Sequence, residues 1–387
     1  MFKIKCLNAI NKNGLSALNG KFRLTDEIDA ADGILLRSYD LRGLVFSPNL
    51  KAIARAGVGV NNIPVERCTE AGIPVFNTPG ANANGVKELV IAGLLLASRD
   101  IIGGIRFVKE NLHREDLATL VEKEKSRFAG CEIQGKKLGV IGLGSIGVLV
   151  ANAGWNMNME VYGYDPFISV DHAWRLSRHI INVNSLADIL AGCDYISLHV
   201  PLSKETERMI GRDAFQKMKD GVVLLNFARD ALVDNDALEE ALRSGKVKKY
   251  VTDFPNYQIA NLDNVIAIPH LGASTFESED NCARMAVREL ADYLEHGNVV
   301  NSVNFPECEA GACRTAGRIT LYHKNIPNMI NQFTRIFFER NINIANMYNR
   351  SRGEYAYSLF DLDSPTDAGL EKELFSIPDV IRARIIK

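Results

Sequence analysis

The segment Lys137-Leu-Gly-Val-Ile141, followed at once by Gly142-Leu-Gly144-Ser145-Ile146-Gly147, constrains this chain more than any other stretch. A short apolar strand runs into three glycines and then into a helix-compatible stretch ending near Ala153. That is the strand–turn–helix context in which Gly-x-Gly-x-x-Gly binds a dinucleotide. Gly142 allows the tight turn, Gly144 lets backbone approach a pyrophosphate, and Gly147 permits close helix packing. The helix N-terminus supplies N–H groups and dipole for the phosphates. The next strand, Met159–Tyr164, ends at Asp165, eighteen residues beyond Gly147. A carboxylate there accepts hydrogen bonds from the adenosine ribose hydroxyls and repels a 2′-phosphate, so NAD is expected over NADP. The alternative is a helix-packing glycine cluster with an incidental Asp.

A chain of 387 residues suggests two or three domains. Lys plus Arg is 45 and Asp plus Glu is 47, a net charge of −2 that gives no reason to expect nucleic acid or an anionic membrane as partner. Hydrophobic residues at 47% and charged residues at 24% exclude wholesale disorder. The first residues, MFKIKCLNAINKNG, lack the apolar core of a secretory signal, and the longest apolar run, 89–97, is about half a membrane span. A soluble, cytoplasmic protein is expected. The seven cysteines, at 6, 68, 131, 193, 282, 308 and 313, form no Cys-x-x-Cys pair and read as reduced thiols. Cys308, Cys313 and His323 have the elements of a metal site, but no metal is expected.

Short apolar segments ending in Gly, Pro or Asn turns, with helical spacers between, describe parallel α/β sheets on both sides of the glycine-rich turn. Strands are expected at 33–37, 50–55, 73–76, 137–141, 159–164, 195–200, 222–226 and 265–268. One helix is expected over 85–108, a charged connection over 110–127, and a long amphipathic helix over 275–296. After a linker the tail reads strand-helix-strand-strand-helix-strand, a ferredoxin-like domain. The expected fold is α/β, with two Rossmann-like parallel-sheet domains, the first discontinuous, plus that small third domain.

Oxidation of a hydroxy acid by a nicotinamide requires a cation for the carboxylate and a group that exchanges the hydroxyl proton. Asn226-Phe-Ala-Arg229 places an Arg just past one strand, and Ile268-Pro-His270 places a His past another, where α/β sheets bind ligands. Taken singly, Arg229 could be a surface helix-cap residue and His270 a packing residue.

With these residues the chain resembles the D-2-hydroxyacid dehydrogenase family, in the form that carries a C-terminal ACT domain. The resemblance rests on Gly57-Val-Gly-Val-Asn-Asn-Ile63, Asn77-Thr-Pro-Gly-Ala-Asn82, the glycine-rich turn, His199-Val-Pro201, Asn226-x-x-Arg229, Asp253-Phe-Pro, Pro269-His270-Leu-Gly-Ala-Ser274 and Val303-Asn-Phe-Pro306. It implies NAD-dependent oxidation of D-3-phosphoglycerate to 3-phosphohydroxypyruvate, the first step of serine biosynthesis. Arg229 would hold the substrate carboxylate and His270 would act as acid/base. Backbone around Val58 and Gly59, with Asn82, would bind substrate, and Arg37 and Ser38 would select its phosphate. To the cofactor the resemblance assigns Ser145, Ile146, His199, Val200, Pro201, Phe227, Ala228, Asp253 and Gly272, besides the glycines and Asp165. Residues 1–85 and 275–305 would form the substrate-binding domain, 86–274 the NAD-binding domain, 306–316 a linker and 317–387 the ACT domain. His323, Asn325 and Asn343 would bind L-serine as effector, although a purely dimerising domain is the alternative. A homodimer or homotetramer is expected from the family.

Four departures accompany the resemblance. Family members place a Glu shortly after the Asp253 position to pair with the catalytic His; here the segment is Asp253-Phe-Pro-Asn-Tyr-Gln258. Gln258 is the expected substitute, able to orient His270 without adding negative charge. Asp230 replaces a Gly beside Arg229, and Tyr39 and Asp40 replace more basic or hydroxyl residues; Lys87 and Arg106 are other sources of positive charge, although a solvated helix face is the first reading of both. Asn328 stands where many ACT domains have Gly, and Asn tolerates the left-handed conformation. Two other readings stay open: a dehydrogenase of an unphosphorylated 2-hydroxy acid, and a catalytically weak amino-acid-sensing protein.

Overall fold

The computed structural model describes every residue except Ala9 and Ala17, and every side chain except those two and Lys12 and Asn13. The chain forms two compact units, Met1–Ala81 with Glu279–Lys387, and Asn82–Ser278. No helix among the described residues is long and apolar enough to cross a membrane.

The second unit is built on a seven-stranded parallel sheet. Its spatial order is Val265–Ala267, Val247–Thr252, Val222–Asn226, Tyr195–Leu198, Lys137–Ile141, Glu160–Tyr164 and Ile181–Asn182. Tyr195–Leu198 and Val222–Asn226 are buried along their whole length, as strands covered on both faces must be. The order of strands reverses between Lys137–Ile141 and Tyr195–Leu198. In open α/β sheets that reversal is where ligands bind, outside the carboxyl ends of the strands. Strand Val247–Thr252, which carries Asp253 at its end, was not among those read from sequence, because Lys248 and Lys249 break its apolar run.

The single helix expected over 85–108 is two helices, Ala83–Ser98 and Ile101–Glu110. Arg99 is extended, and the Asp100 carboxylate accepts a hydrogen bond from Gly103 N at 3.0 Å, which caps a new helix. The charged connection contains a further helix, Leu117–Glu124.

In the first unit a five-stranded parallel sheet runs Phe22–Leu24, Phe2–Cys6, Gly33–Leu36, Ala52–Arg55, Val75–Phe76. The tail forms a four-stranded antiparallel sheet, ordered Ile344–Arg352, Tyr355–Leu362, Gly317–Lys324, Val380–Ile385. Helices Met329–Glu339 and Ala368–Phe375 cover one face, giving the ferredoxin-like order expected. Asn328 takes the left-handed conformation, φ 74°, at the head of the first of these helices.

The other face of that sheet packs Tyr322, Tyr357 and Leu359 with Leu290 and Tyr293 of the long helix Phe276–His296. A helix end leaves its last carbonyls without intrahelical donors, and here the tail supplies them. Arg318 Nη1 donates to His296 O at 2.9 Å, Tyr357 Oη to Gly297 O at 2.6 Å, and Arg384 Nη2 to Tyr293 O at 3.1 Å and also to Leu294 O. Arg318 is itself buried and clasps Asp361 through two hydrogen bonds of 2.6 and 3.1 Å. Residues 306–316, read as a linker, are not open chain. Val299 and Cys308 exchange both backbone hydrogen bonds at 2.9 Å, and Cys308 is buried.

Glu289 lies on the same long helix, 7% exposed, with Oε1 accepting from Asn301 Nδ2 at 2.6 Å and Oε2 without a partner. Burial pushes its carboxyl from the ordinary 4.5 up to about 8. Between those values the folded chain holds a proton that the unfolded chain has lost, so Glu289 costs stability progressively as pH rises through that window. The variant Glu289→Gln should therefore melt above the wild type at pH 8. The gap should shrink as pH falls toward 5, read by calorimetric melting at both ends; a gap independent of pH would contradict this.

Candidate active site

The cofactor end of the second unit is shaped by what its glycines leave out. Gly142 has φ +90°, and a β-carbon there would meet His199 O at 2.7 Å and Val200 Cγ1 at 2.9 Å. A β-carbon at Gly147 would lie 1.9 Å from Gly142 O, so only glycine lets the helix start this close to the strand end. Around Gly144 a β-carbon would meet nothing within 4 Å. Gly144 is the N-cap of helix Ser145–Asn156 and no side chain caps it, so the first N–H groups, those of Ser145, Ile146 and Gly147, face an open cradle.

Asp165 is set by backbone. Oδ2 accepts from Leu143 N at 2.8 Å and Oδ1 from Phe167 N at 2.9 Å, which fixes the carboxylate at the end of its strand and ties it to the glycine-rich turn. His199 Nε2 lies 2.8 Å from Ser197 Oγ, while the buried Nδ1 has no partner. Burial pushes this imidazole down to about 3, so it is neutral. Pro201 is exposed beyond it. Phe227 is 4% exposed and packs its ring against Gly93, so its side chain serves the core and only its backbone is available to a ligand.

Two buried polar residues hold the loops that carry Arg229 and His270. Asn226, fully buried, donates from Nδ2 to Arg229 O at 2.9 Å and accepts at Oδ1 from Ala228 N at 3.2 Å, which shapes the turn presenting Arg229. Asp253 accepts through its backbone carbonyl from His270 N at 3.0 Å and through Oδ2 from Gly272 N at 3.1 Å. Its other oxygen, Oδ1, is buried without a partner. Burial raises the Asp253 carboxyl, against the opposing pull of the Gly272 N–H, His270 and Arg229. Phe254 neighbours both side chains. The His270 ring lies 4.6 Å from its centroid, and the Arg229 guanidinium lies 5.9 Å from the same ring. Both Arg229 and His270 are exposed.

Gln258 is not the partner of His270. Its Nε2 donates to Asp236 Oδ1 at 2.7 Å, and no hydrogen bond to the His270 ring occurs among the described residues. Asn256 caps the short helix Tyr257–Ala260 and donates to both Asp230 oxygens at 3.1 and 3.2 Å. The His270 ring rests instead tilted at 45° against Phe254, and Asp253 clamps its backbone. Asn256, Asp236 and the role of Phe254 were missed in sequence, where nothing relates these distant positions.

In the first unit, Gly57 has φ +146°, and a β-carbon there would meet Arg55 Nη1 at 2.5 Å, so this loop rests on a guanidinium. Asn77 Nδ2 donates to Val58 O at 2.7 Å, and Gly59 follows half-buried. Arg37 Nη1 pairs with Glu279 Oε1 at 2.6 Å. The backbone N–H groups of Arg37, Ser38 and Tyr39 all donate to Asn8 Oδ1, at 3.1, 3.0 and 2.9 Å. The backbone donors of this loop are thus already taken by an amide. Lys87 pairs with Glu88 at 3.5 Å. Asn82 is the N-cap of helix Ala83–Ser98, in the second unit, and its side chain makes no capping bond. In the tail, His323 is 2% exposed, with Nδ1 2.8 Å from Lys324 O and Nε2 2.9 Å from Ser358 Oγ. It is a satisfied interior residue, whereas Asn325 and Asn343 are exposed.

A doubly wound sheet with a glycine cradle at its switch point, a backbone-set Asp at the next strand end, and Arg and His on loops flanking the one that carries Phe254 defines a dinucleotide-dependent oxidoreductase. Residues 91–272 match the family model described as D-isomer specific 2-hydroxyacid dehydrogenase, NAD binding domain. The D-3-phosphoglycerate dehydrogenase of Haemophilus influenzae is 31% identical over 351 residues, 88% of this chain and 82% of that one. That of Archaeoglobus fulgidus is 37% identical over 319 residues, 79% of this chain but 58% of its own length. The chain therefore spans little more than half of the archaeal relative. Among solved structures, cofactor (NAD+)-bound 3-phosphoglycerate dehydrogenase of Entamoeba histolytica superposes with a TM-score of 0.60 at 27% identity, over 78% of this chain and 99% of that one. The chain belongs to the D-2-hydroxyacid dehydrogenases, and its cofactor is NAD.

The donor set fits that group: the uncapped helix start suits a pyrophosphate, Asp165 suits a ribose diol, and the unpartnered Asp253 Oδ1 suits an amide N–H. Substituting Gly144→Val should leave the melting temperature within about a degree, since no protein atom is near. It should weaken NADH binding at least tenfold in titration calorimetry, because the side chain enters the cradle; unchanged affinity would remove the pyrophosphate from this turn.

Proposed function

We propose that this protein oxidises D-3-phosphoglycerate to 3-phosphohydroxypyruvate with NAD, the entry to serine biosynthesis. The observation that carries the reading is the placement of Arg229 and His270 about the same Phe254 ring, on loops anchored by Asn226 and Asp253, in an NAD-binding domain. NAD supplies the two-electron acceptor. Arg229 holds the carboxylate with its donor fork, one nitrogen being steadied by its bond to Ala228 O at 2.6 Å. A ring nitrogen of His270 takes the hydroxyl proton as the C–H bond of the substrate breaks. Asp253 keeps His270 in place through backbone as the ring changes charge. On the first unit, the Val58–Gly59 backbone and Arg37 are the proposed carboxylate and phosphate contacts.

A second reading, an unphosphorylated 2-hydroxy acid, is favoured by one feature: Arg37 is paired with Glu279, and the neighbouring N–H groups already serve Asn8. The initial rate of NADH oxidation with 3-phosphohydroxypyruvate decides between them. His270→Gln should lower kcat by about 10²–10⁴-fold, and Arg37→Ala should raise the KM about tenfold or more. An unchanged KM transfers the assignment to the unphosphorylated class, and no turnover by NADH-binding protein leaves the amino-acid-sensing reading. L-Serine in the same assay tests the tail, for which Asn325 and Asn343 are the proposed contacts; suppression of the rate is expected.

Self-association is part of the proposal. Helix Ile101–Glu110 buries none of its residues, and Ile101, Ile102, Ile105, Val108 and Leu112 are all exposed. Arg106, Lys109 and Arg114 alternate around them with Glu110, Glu115 and Asp116, a mixed rim that a second copy can match. Sedimentation should show a dimer or tetramer, and Ile105→Glu should lower the association state; a monomeric wild type would reject this face.

A further inference from the structure

The glycine-rich turn is touched by a residue from outside its motif. His172 lies in the short helix Val170–Arg175, which follows Asp165. Its Nε2 is 3.3 Å from Ser145 Oγ and its Nδ1 is 3.0 Å from Ser169 Oγ. Ser169 Oγ also accepts from His172 N, at 3.2 Å, as the cap of that helix. The imidazole is thus held at both nitrogens between two hydroxyls, and one of these belongs to the first residue of the cradle helix. A half-buried ring gripped in this way has one orientation and two possible hydrogen-bond polarities.

We propose that His172 is a cofactor-positioning residue, which sets the Ser145 hydroxyl as a hydrogen-bond donor to the NAD pyrophosphate. The inference rests on the assignment of the glycine-rich turn to NAD. Because Ser169 Oγ already accepts the His172 amide, its own proton is available to Nδ1. The tautomer is then protonated at Nε2, which donates to Ser145 Oγ and leaves the Ser145 O–H to point away from the ring. With the opposite polarity Ser145 would donate to Nε2 and turn only lone pairs to the open cradle, which repels an anion. An arriving pyrophosphate therefore selects the first arrangement, and a hydrogen bond to a charged acceptor is stronger than one between neutral groups.

The test is titration calorimetry of the full chain with NADH, and with adenosine as a probe that lacks phosphate. His172→Phe keeps the ring and loses both hydrogen bonds; NADH should bind about tenfold more weakly while adenosine binds as before. His172→Gln, whose amide can reach Ser145, should recover most of the loss. In a Ser145→Ala background His172→Phe should cost nothing further, because the effect passes through that hydroxyl. Equal NADH affinity of wild type and His172→Phe overturns the inference while leaving the NAD site intact. So does an equal loss for adenosine, or a loss of full size in the Ser145→Ala background. A wild type that binds no NADH overturns the cofactor assignment itself.

Discussion

The contact on which the cofactor site depends is the approach of Gly147 to the Gly142 carbonyl, so close that a β-carbon would stand 1.9 Å from it. That approach starts the helix directly at the end of the strand and leaves its first N–H groups uncapped. It also brings Leu143 within reach of Asp165, so the glycine-rich turn and the carboxylate at the next strand end are one construction. Neither could shift without the other. The location follows from the sheet: strand order reverses beside Lys137–Ile141, and the loops there diverge to leave room for a ligand.

Around Arg229 and His270 the order comes from buried polar side chains. An unpaired buried amide or carboxyl is costly, so the loops satisfy Asn226 and one oxygen of Asp253, whose Oδ1 has no partner. In turn the loops are held by them. The departures Asp230 and Gln258 explain each other: Asp230 accepts from Asn256, and Gln258 donates to Asp236. Together they stitch the 256–258 segment to the 230–236 segment. The stitch takes Gln258 away from His270 and leaves that ring to the Phe254 face. An amide has no net charge to offer an imidazolium, but it can bridge a carboxylate, and this fold uses it so.

The tail is bound into the first unit more tightly than a tethered module. Arg318, Arg384 and Tyr357 complete the carbonyls at the end of the 276–296 helix, and cations at that end suit its dipole. The buried Arg318–Asp361 pair would leave an uncompensated charge if either partner were removed.

Local sequence determined what local chemistry controls: the glycine turn, Asp165 at its strand end, the left-handed Asn328, and the alternation that builds two parallel sheets and a ferredoxin-like tail. Arg229 and His270 could be read because both sit immediately past strands, where position along the chain nearly gives position in the site. Strand Val247–Thr252 escaped because two lysines interrupt its apolar pattern, although its inner residues are buried. The break at Asp100 could have been read from its capping spacing, had the apolar run not masked it. Only tertiary structure decided the partners of side chains distant in sequence: Asn8 under the Arg37 loop, Asp236 against Gln258, Ser358 against His323, and His172 against Ser145. A hydrogen bond is made with whatever the packed elements bring within about 3 Å. Residue type says that a buried amide or imidazole must find a partner, and the crossing of strands and helices says which.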